Sequence, residues 1–214
     1  PIVYAAALEA GWTPRDVVED APISIGGWSP ENYDRRFRGP VTLEDAMAAS
    51  INTVAVRLSE RVGQARVRAL ARAMGVSTDL APGPAVALGT SESTLVDMTG
   101  VYGVIAAGGR RADPWGIRRL ALRDDPEPLL THSPDDGRVL SASTARRLTH
   151  MMHEVVRRGT GRRAQIPEWQ VAGKTGTTQA ARDAWFIGFT ADYVIGVWLG
   201  NDDNTPLTGV TGGG

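Results

Sequence analysis

The sequence predicts an α/β chain of the α+β kind, an antiparallel sheet flanked by helices in one domain. Three observations carry this. Helical apolar periodicity dominates the first two thirds. Three short segments rich in Val, Ile, Trp, Phe and Tyr, separated by turn residues, fill the last third. No internal repeat or low-complexity linker divides the 214 residues. Helices first and a meander last is the pattern of an α+β or three-layer α/β domain.

The elements follow in order. Residues 2–10 are apolar and alanine-rich, and Gly11 supplies a C-cap, so they read as the tail of a helix. Residues 20–40 mix Gly, Pro and Asp with aromatics and predict an ordered loop, with at most a short strand at 23–25. Thr42 opens a helix with Asp45 three residues on, a capping box that pairs a hydroxyl with an acid at the first turn. Ser50 and Asn52 compete for helical backbone bonds, so a break near 49–53 is expected, followed by a second helix to Gly63. Residues 67–74 form another helix closed by Gly75, and 76–93 a loop. Thr94-x-x-Asp97 starts a helix that Gly108-Gly109 stops. Strand candidates sit at 115–122, Leu129 and Val139, and a helix spans 143–156. The predicted meander strands are 170–175, 184–190 and 193–199.

Composition bounds the function classes. A net charge of −1 gives no whole-chain case for nucleic acid or an anionic membrane surface. No apolar stretch reaches the roughly 18–20 residues that span a bilayer, and no signal peptide opens the chain. Cysteine is absent, which removes disulfides, thiolate nucleophiles and Cys-ligated zinc, and fits an extracytoplasmic bacterial compartment. Of the 23 basic residues only one, Lys174, is lysine. Arginine serves wherever a surface cation is enough. An ammonium is a compact charge whose pKa can be tuned, so a solitary lysine is a candidate for chemistry.

Four groups of residues are candidates for chemistry or binding. Lys174-Thr175-Gly176-Thr177, at the end of a predicted strand, joins a cation and two hydroxyls to a glycine that lets a ligand approach, which suits a carboxylate. Alternation puts Lys174 and Gly176 on one face and the threonines on the other, so convergence requires a bulge or a sheet edge. An ordinary exposed turn is the competing reading. Ser50-Ile51-Asn52 offers a hydroxyl to relay a proton and an amide to hold a substrate amide, against a plain helix-breaking turn. His150 and His153 share a helix face but lack the His-Glu-x-x-His order and a third ligand, so no metal is expected. The arginine pairs at 110–111, 118–119, 146–147 and 157–158 read as solvated faces.

Ser-x-Asn followed more than 100 residues later by Lys-Thr-Gly on a strand is part of the set found in penicillin-binding proteins and class A β-lactamases. The runs 23–52, 87–92 (ALGTSE), 171–178 (VAGKTGTT), 183–189 (DAWFIGF) and 210–214 (VTGGG) resemble the transpeptidase domain of class A, bifunctional penicillin-binding proteins, in the family's order over nearly the whole chain. The resemblance implies the penicillin-binding protein/β-lactamase-like fold and acyl transfer from peptidoglycan stem peptides ending in D-Ala-D-Ala, with β-lactam antibiotics as mimics. It assigns Ser50 as proton relay, Asn52 as holder of the substrate peptide group and Lys174 as the field-shaping cation. Thr175, Gly176, Thr177 and Thr178 match the substrate cradle, with the Thr177 N–H as one oxyanion donor. No cofactor is implied.

The family's nucleophile lies in Ser-x-x-Lys, often followed by Pro, and this motif occurs nowhere in the chain. Residues 1–214 are therefore expected to be a partial domain, with the Ser and Lys four residues and one residue before Pro1, and with a last helix beyond Gly214. An upstream glycosyltransferase domain, a membrane anchor and a site on the cell-wall side of a bacterial inner membrane are further implications. A D,D-carboxypeptidase or a non-catalytic sensor of the same fold stays open. A class A β-lactamase is disfavoured, because no Glu-x-x-Leu-Asn lies between Asn52 and Lys174 and Ile51 stands where Ser-Asp-Asn has Asp. Trp28, Tyr33 and Phe37 are read chiefly as loop anchors, with a groove lining as the alternative, and 183–189 as sheet core.

Overall fold

A computed structural model describes residues 1–213 apart from 124, 134, 136, 179 and 180. Gly214, the last residue of the VTGGG run, lies outside the described residues. Helix α1 (Ile2–Glu9) is buried from Val3 to Leu8. A helix apolar on every side belongs in the centre of a domain, and α1 packs against α3 (Asn52–Val62), α4 (Gln64–Ala73) and α6 (Ala142–Arg158). Its end is a Schellman motif: Gly11, at φ 96°, donates to Leu8 and Trp12 donates to Ala7.

The predicted caps form. Thr42 accepts from the Asp45 N–H at the start of α2 (Leu43–Ala48), and Thr94 accepts from Asp97 at the start of α5 (Leu95–Ala106). Ser141 caps α6 by accepting from Thr144. The expected break divides α2 from α3 between residues 49 and 51. A short 3₁₀ turn, Pro84–Leu88, interrupts the loop after α4.

The C-terminal meander is a three-stranded antiparallel sheet in the order β5-β6-β7, formed by β5 (Ala172–Thr177), β6 (Asp183–Phe189) and β7 (Val194–Gly200). Strand β5 is an edge, and it pairs with β6 without interruption from Ala172↔Phe189 to Thr177↔Ala184. Helices α5 and α6 cover the sheet, α6 over β5 and α5 over β6 and β7. The approach at β7 is close: a Cβ on Gly196 would overlap the Thr99 hydroxyl of α5. Ile195, Val197 and Leu199 remain 54%, 44% and 52% exposed, which leaves an apolar row uncovered on β7. The core joins Leu43, Met47, Leu58, Ile105, Leu148, Met151 and Met152 between these layers.

Three expectations change. The loop at 20–40 is bounded by a hairpin of β1 (Val17–Asp20) and β2 (Gly39–Thr42), and 23–25 forms no strand, only an isolated bridge between Ile25 and Trp28. The candidates in 115–139 shrink to β3 (Arg119–Leu120) paired with β4 (Leu130–Thr131). The loop is not anchored by Tyr33 and Phe37, which are 83% and 45% exposed. Its buried members are Pro30 and Asn32, and Trp28 is half-buried.

Candidate active site

Helix α2 ends in a second Schellman motif. Ser50 donates its N–H to Met47 and Ile51 donates to Ala46. The residue between α2 and α3 must therefore adopt a left-handed conformation. Helices α1, α4 and α5 meet that demand with Gly11, Gly75 and Gly108, whereas α2 uses Ser50 at φ 55°. A Cβ in this region costs about 1–2 kcal/mol, and non-glycine residues held there cluster at functional sites. The turn aims the Ser50 hydroxyl at the sheet edge.

Lys174 reaches it from β5. Its Nζ donates to Ser50 Oγ at 2.8 Å and to the Thr175 carbonyl at 3.0 Å, with Thr175 Oγ1 at 3.5 Å. No bulge is needed for convergence. The long Lys174 side chain folds over the edge of the strand past its own neighbour's carbonyl. Burial lowers the Lys174 pKa to about 8, because the desolvated ammonium has no carboxylate among its hydrogen-bond partners. The solitary lysine is thus the titratable group of the site, within reach of both protonation states near neutrality.

The threonines are individually placed. Thr175 Oγ1 shares a 2.7 Å hydrogen bond with Thr160 Oγ1. The Thr160 N–H donates to the Ala48 carbonyl at the end of α2, and a Cβ on Gly159 would overlap that same carbonyl. The turn after α6 therefore locks the Ser50 segment to β5. Thr177 Oγ1 accepts from the Gly212 N–H at 3.0 Å, which leaves its O–H to donate outward. A Cβ on Gly212 would overlap the carbonyl oxygens of Gly176 and Trp185, so the 211–213 segment lies directly on β5 and β6. Thr178 closes the β5–β6 turn instead, accepting from Asp183 N–H at 2.8 Å through its hydroxyl.

Asn52, the first residue of α3, donates from Nδ2 to the Glu31 carbonyl at 2.8 Å. Ser50, Lys174 and the Thr175 edge thus meet at one place, and Asn52 stands two residues from Ser50 on the same junction. Sequence reasoning did not find Thr160 or Gly212, which act through contacts distant along the chain. A pointer to Gly212 was present in the VTGGG run, but it carried no geometry.

The other candidates have structural partners. His150 Nε2 lies 2.9 Å from Glu44, and His153 Nδ1 lies 3.0 Å from the Val171 carbonyl. Arg157 and Arg158 are no mere solvated pair. Both bind the buried Glu154, and their hydrogen bonds, Arg157 first, hold its carboxyl down to about 2. Arg158 also ties α6 to Glu44 and Asp45 of α2, beside a cavity of about 230 Å³ lined in part by Arg38, Ala49 and Ile51.

A helix-break serine and a strand-edge lysine thus meet across a helix–sheet seam in a mixed helix-and-sheet domain. The family model for the penicillin binding protein transpeptidase domain matches residues 1–208, and the chain belongs to that family. It is 38% identical to penicillin-binding protein 1A of Aquifex aeolicus over 94% of its length. It is 36% identical to penicillin-binding protein 1A of Neisseria meningitidis over its whole length. The chain spans 28% of the length of each of these relatives. Among solved structures, penicillin-binding protein 1A from Haemophilus influenzae superposes with a TM-score of 0.86 at 28% identity, covering 95% of this chain and 37% of that one. The fold is therefore that of the family's transpeptidase domains, as the sequence predicted.

Proposed function

We propose that residues 1–214 are part of a peptidoglycan D,D-transpeptidase whose nucleophile lies in a Ser-x-x-Lys motif just ahead of Pro1. The observation that carries the reading is the 2.8 Å contact from Lys174 Nζ to Ser50 Oγ, made across the α2–α3 junction and the β5 edge. The placement of the nucleophile rests on the resemblance and on the central position of α1, which is buried and packs against α3, the helix that follows the Ser50 turn.

In this reading the nucleophilic hydroxyl attacks the penultimate carbonyl of a stem peptide, forming an acyl-enzyme and releasing D-alanine. Ser50 passes a proton from Lys174 to the departing amine. The proton that the nucleophile gives up passes to the lysine of its own Ser-x-x-Lys motif and from there to Lys174, which with a pKa near 8 donates one proton and takes up the other without a large energy mismatch. The O–H groups of Thr175 and Thr177 bind the terminal carboxylate, and Gly176 leaves the edge open to it. The Thr177 N–H and that of the nucleophile stabilise the oxyanion. Asn52, its NH₂ held by Glu31, presents its carbonyl oxygen to a substrate N–H. An amine from a second stem then takes the acyl group. Penicillins enter the same path. One structural relative, penicillin binding protein 3 of Mycobacterium tuberculosis, is known in complex with aztreonam.

The partial-domain reading also accounts for the uncovered row Ile195, Val197 and Leu199: a helix beyond Gly214 would bury it. An upstream glycosyltransferase domain and membrane anchor, and a location on the cell-wall side of the membrane, belong to the same proposal. Among the described residues no helix is long and apolar enough to cross a membrane. The test is D-alanine release by the full-length polypeptide from a stem peptide ending in D-Ala-D-Ala, with and without an amine acceptor. Release coupled to a new amide supports the proposal. Release as hydrolysis alone assigns a carboxypeptidase, and no release with folded protein overturns it.

A further inference from the structure

Asp20 is the inward-facing end of β1, and its side chain is fully buried. A buried carboxylate is costly unless its lone pairs are filled. Here Oδ1 accepts from Asn32 Nδ2 at 2.8 Å and from Thr53 Oγ1 at 2.6 Å, and Oδ2 accepts from the Arg38 N–H at 2.9 Å. Asn32, itself 4% exposed, accepts from the Thr53 N–H at 3.2 Å through Oδ1. Three chain segments, β1, the 31–38 loop and the first turn of α3, are therefore tied at one charged centre.

The consequence falls on Asn52. Glu31, one residue before Asn32, takes the Asn52 Nδ2–H, and Thr53, one residue after Asn52, is held by both its N–H and its hydroxyl. The main chain and the side chain of Asn52 are thus clamped from opposite ends by the same centre. Apolar packing would fix where an amide sits. Directional hydrogen bonds also fix which end of it faces outward, and the Glu31 carbonyl demands the NH₂ end. We propose that Asp20, Asn32 and Thr53 are positioning residues that set the orientation of the Asn52 amide and so its selectivity for ligands bearing an acylamido group. The inference rests on the assignment of Asn52 to the substrate peptide group.

The test uses the full-length protein and two probes: benzylpenicillin, which carries an acylamido side chain, and aminopenicillanic acid, which does not. The readout is the ratio of their acylation rates in one sample, from which any unfolded fraction cancels. Asn52→Ala is expected to slow benzylpenicillin selectively, up to about a hundredfold for a misplaced contact. Thr53→Val and Asp20→Asn should reproduce that selective loss, and Thr53→Ser, which keeps the hydroxyl, should restore the ratio. If Asn52→Ala shifts the ratio while Thr53→Val and Asp20→Asn leave it unchanged, the positioning role is refuted alone. If Asn52→Ala leaves the ratio unchanged, or the parent is not acylated, the assignment of Asn52 itself fails and the inference falls with it.

Discussion

Replacing Ser50 separates what the site needs from what the fold prefers. Both Ser50→Gly and Ser50→Ala remove the hydroxyl that Lys174 holds at 2.8 Å, so both lose the same hydrogen bond. They differ at the left-handed position, φ 55°. Alanine keeps the Cβ and its cost of about 1–2 kcal/mol. Glycine removes that cost but brings a backbone-entropy penalty of about 0.5–1 kcal/mol. The net difference favours glycine by about 0.5–1 kcal/mol, which in a domain of this size corresponds to a Tm gap of about 1–4 °C. Both variants should lose acylation by a fluorescent penicillin to a similar degree. Thermal unfolding followed by circular dichroism measures the first quantity and gel labelling the second. An alanine variant as stable as the glycine variant would refute the claim that the α2–α3 turn stores strain at Ser50.

Three further outcomes follow from the geometry. Lys174→Arg should cut acylation by about a hundredfold, the scale of losing one site-directed electrostatic donor, because a guanidinium cannot give up its proton. The wild type should lose activity as pH rises through about 8, where the Lys174 ammonium deprotonates, and the arginine variant should lack that limb; a pH profile of labelling rates decides both. Glu154, held at about 2 by Arg157 and Arg158, contributes stability that is complete above its ordinary pKa of 4.5 and is lost as pH falls toward 2. Glu154→Gln should therefore cost on the order of 2 kcal/mol at neutral pH and flatten the acid limb of an unfolding-versus-pH curve, and an unchanged curve would contradict it. Gly212→Ala places a Cβ against the Gly176 and Trp185 carbonyls, so it should destabilise by about 1–3 kcal/mol and slow acylation; wild-type melting and labelling would show that 211–213 does not brace β5.

What the sequence revealed was mostly local. The caps at Thr42 and Thr94 and the α2–α3 break each depend on residues within one turn, so they could be read directly. The meander strands were legible from their β-branched and aromatic runs. The β1–β2 hairpin was not, because its strands are four residues long, nearly twenty residues apart, and place the polar Asp20 at an inward position. The pattern hides the strand because the buried residue is a charge. Ser50 and Lys174 were found through motif and composition. Thr160, Asn32 and Asp20 were not, since a single Thr, Asn or Asp has no periodicity and gains meaning only when distant segments meet. The exposure of Tyr33 and Phe37 shows the same limit, because the hydrogen bonds of buried Asn32, and not these two aromatics, hold this part of the loop.

The most direct test of the central claim is mass-spectrometric mapping of a penicillin adduct on the full-length polypeptide. One acylated serine is expected, four residues before Pro1, with no adduct anywhere in residues 1–214. An adduct on Ser50, or one on any other residue of this chain, would contradict the claim.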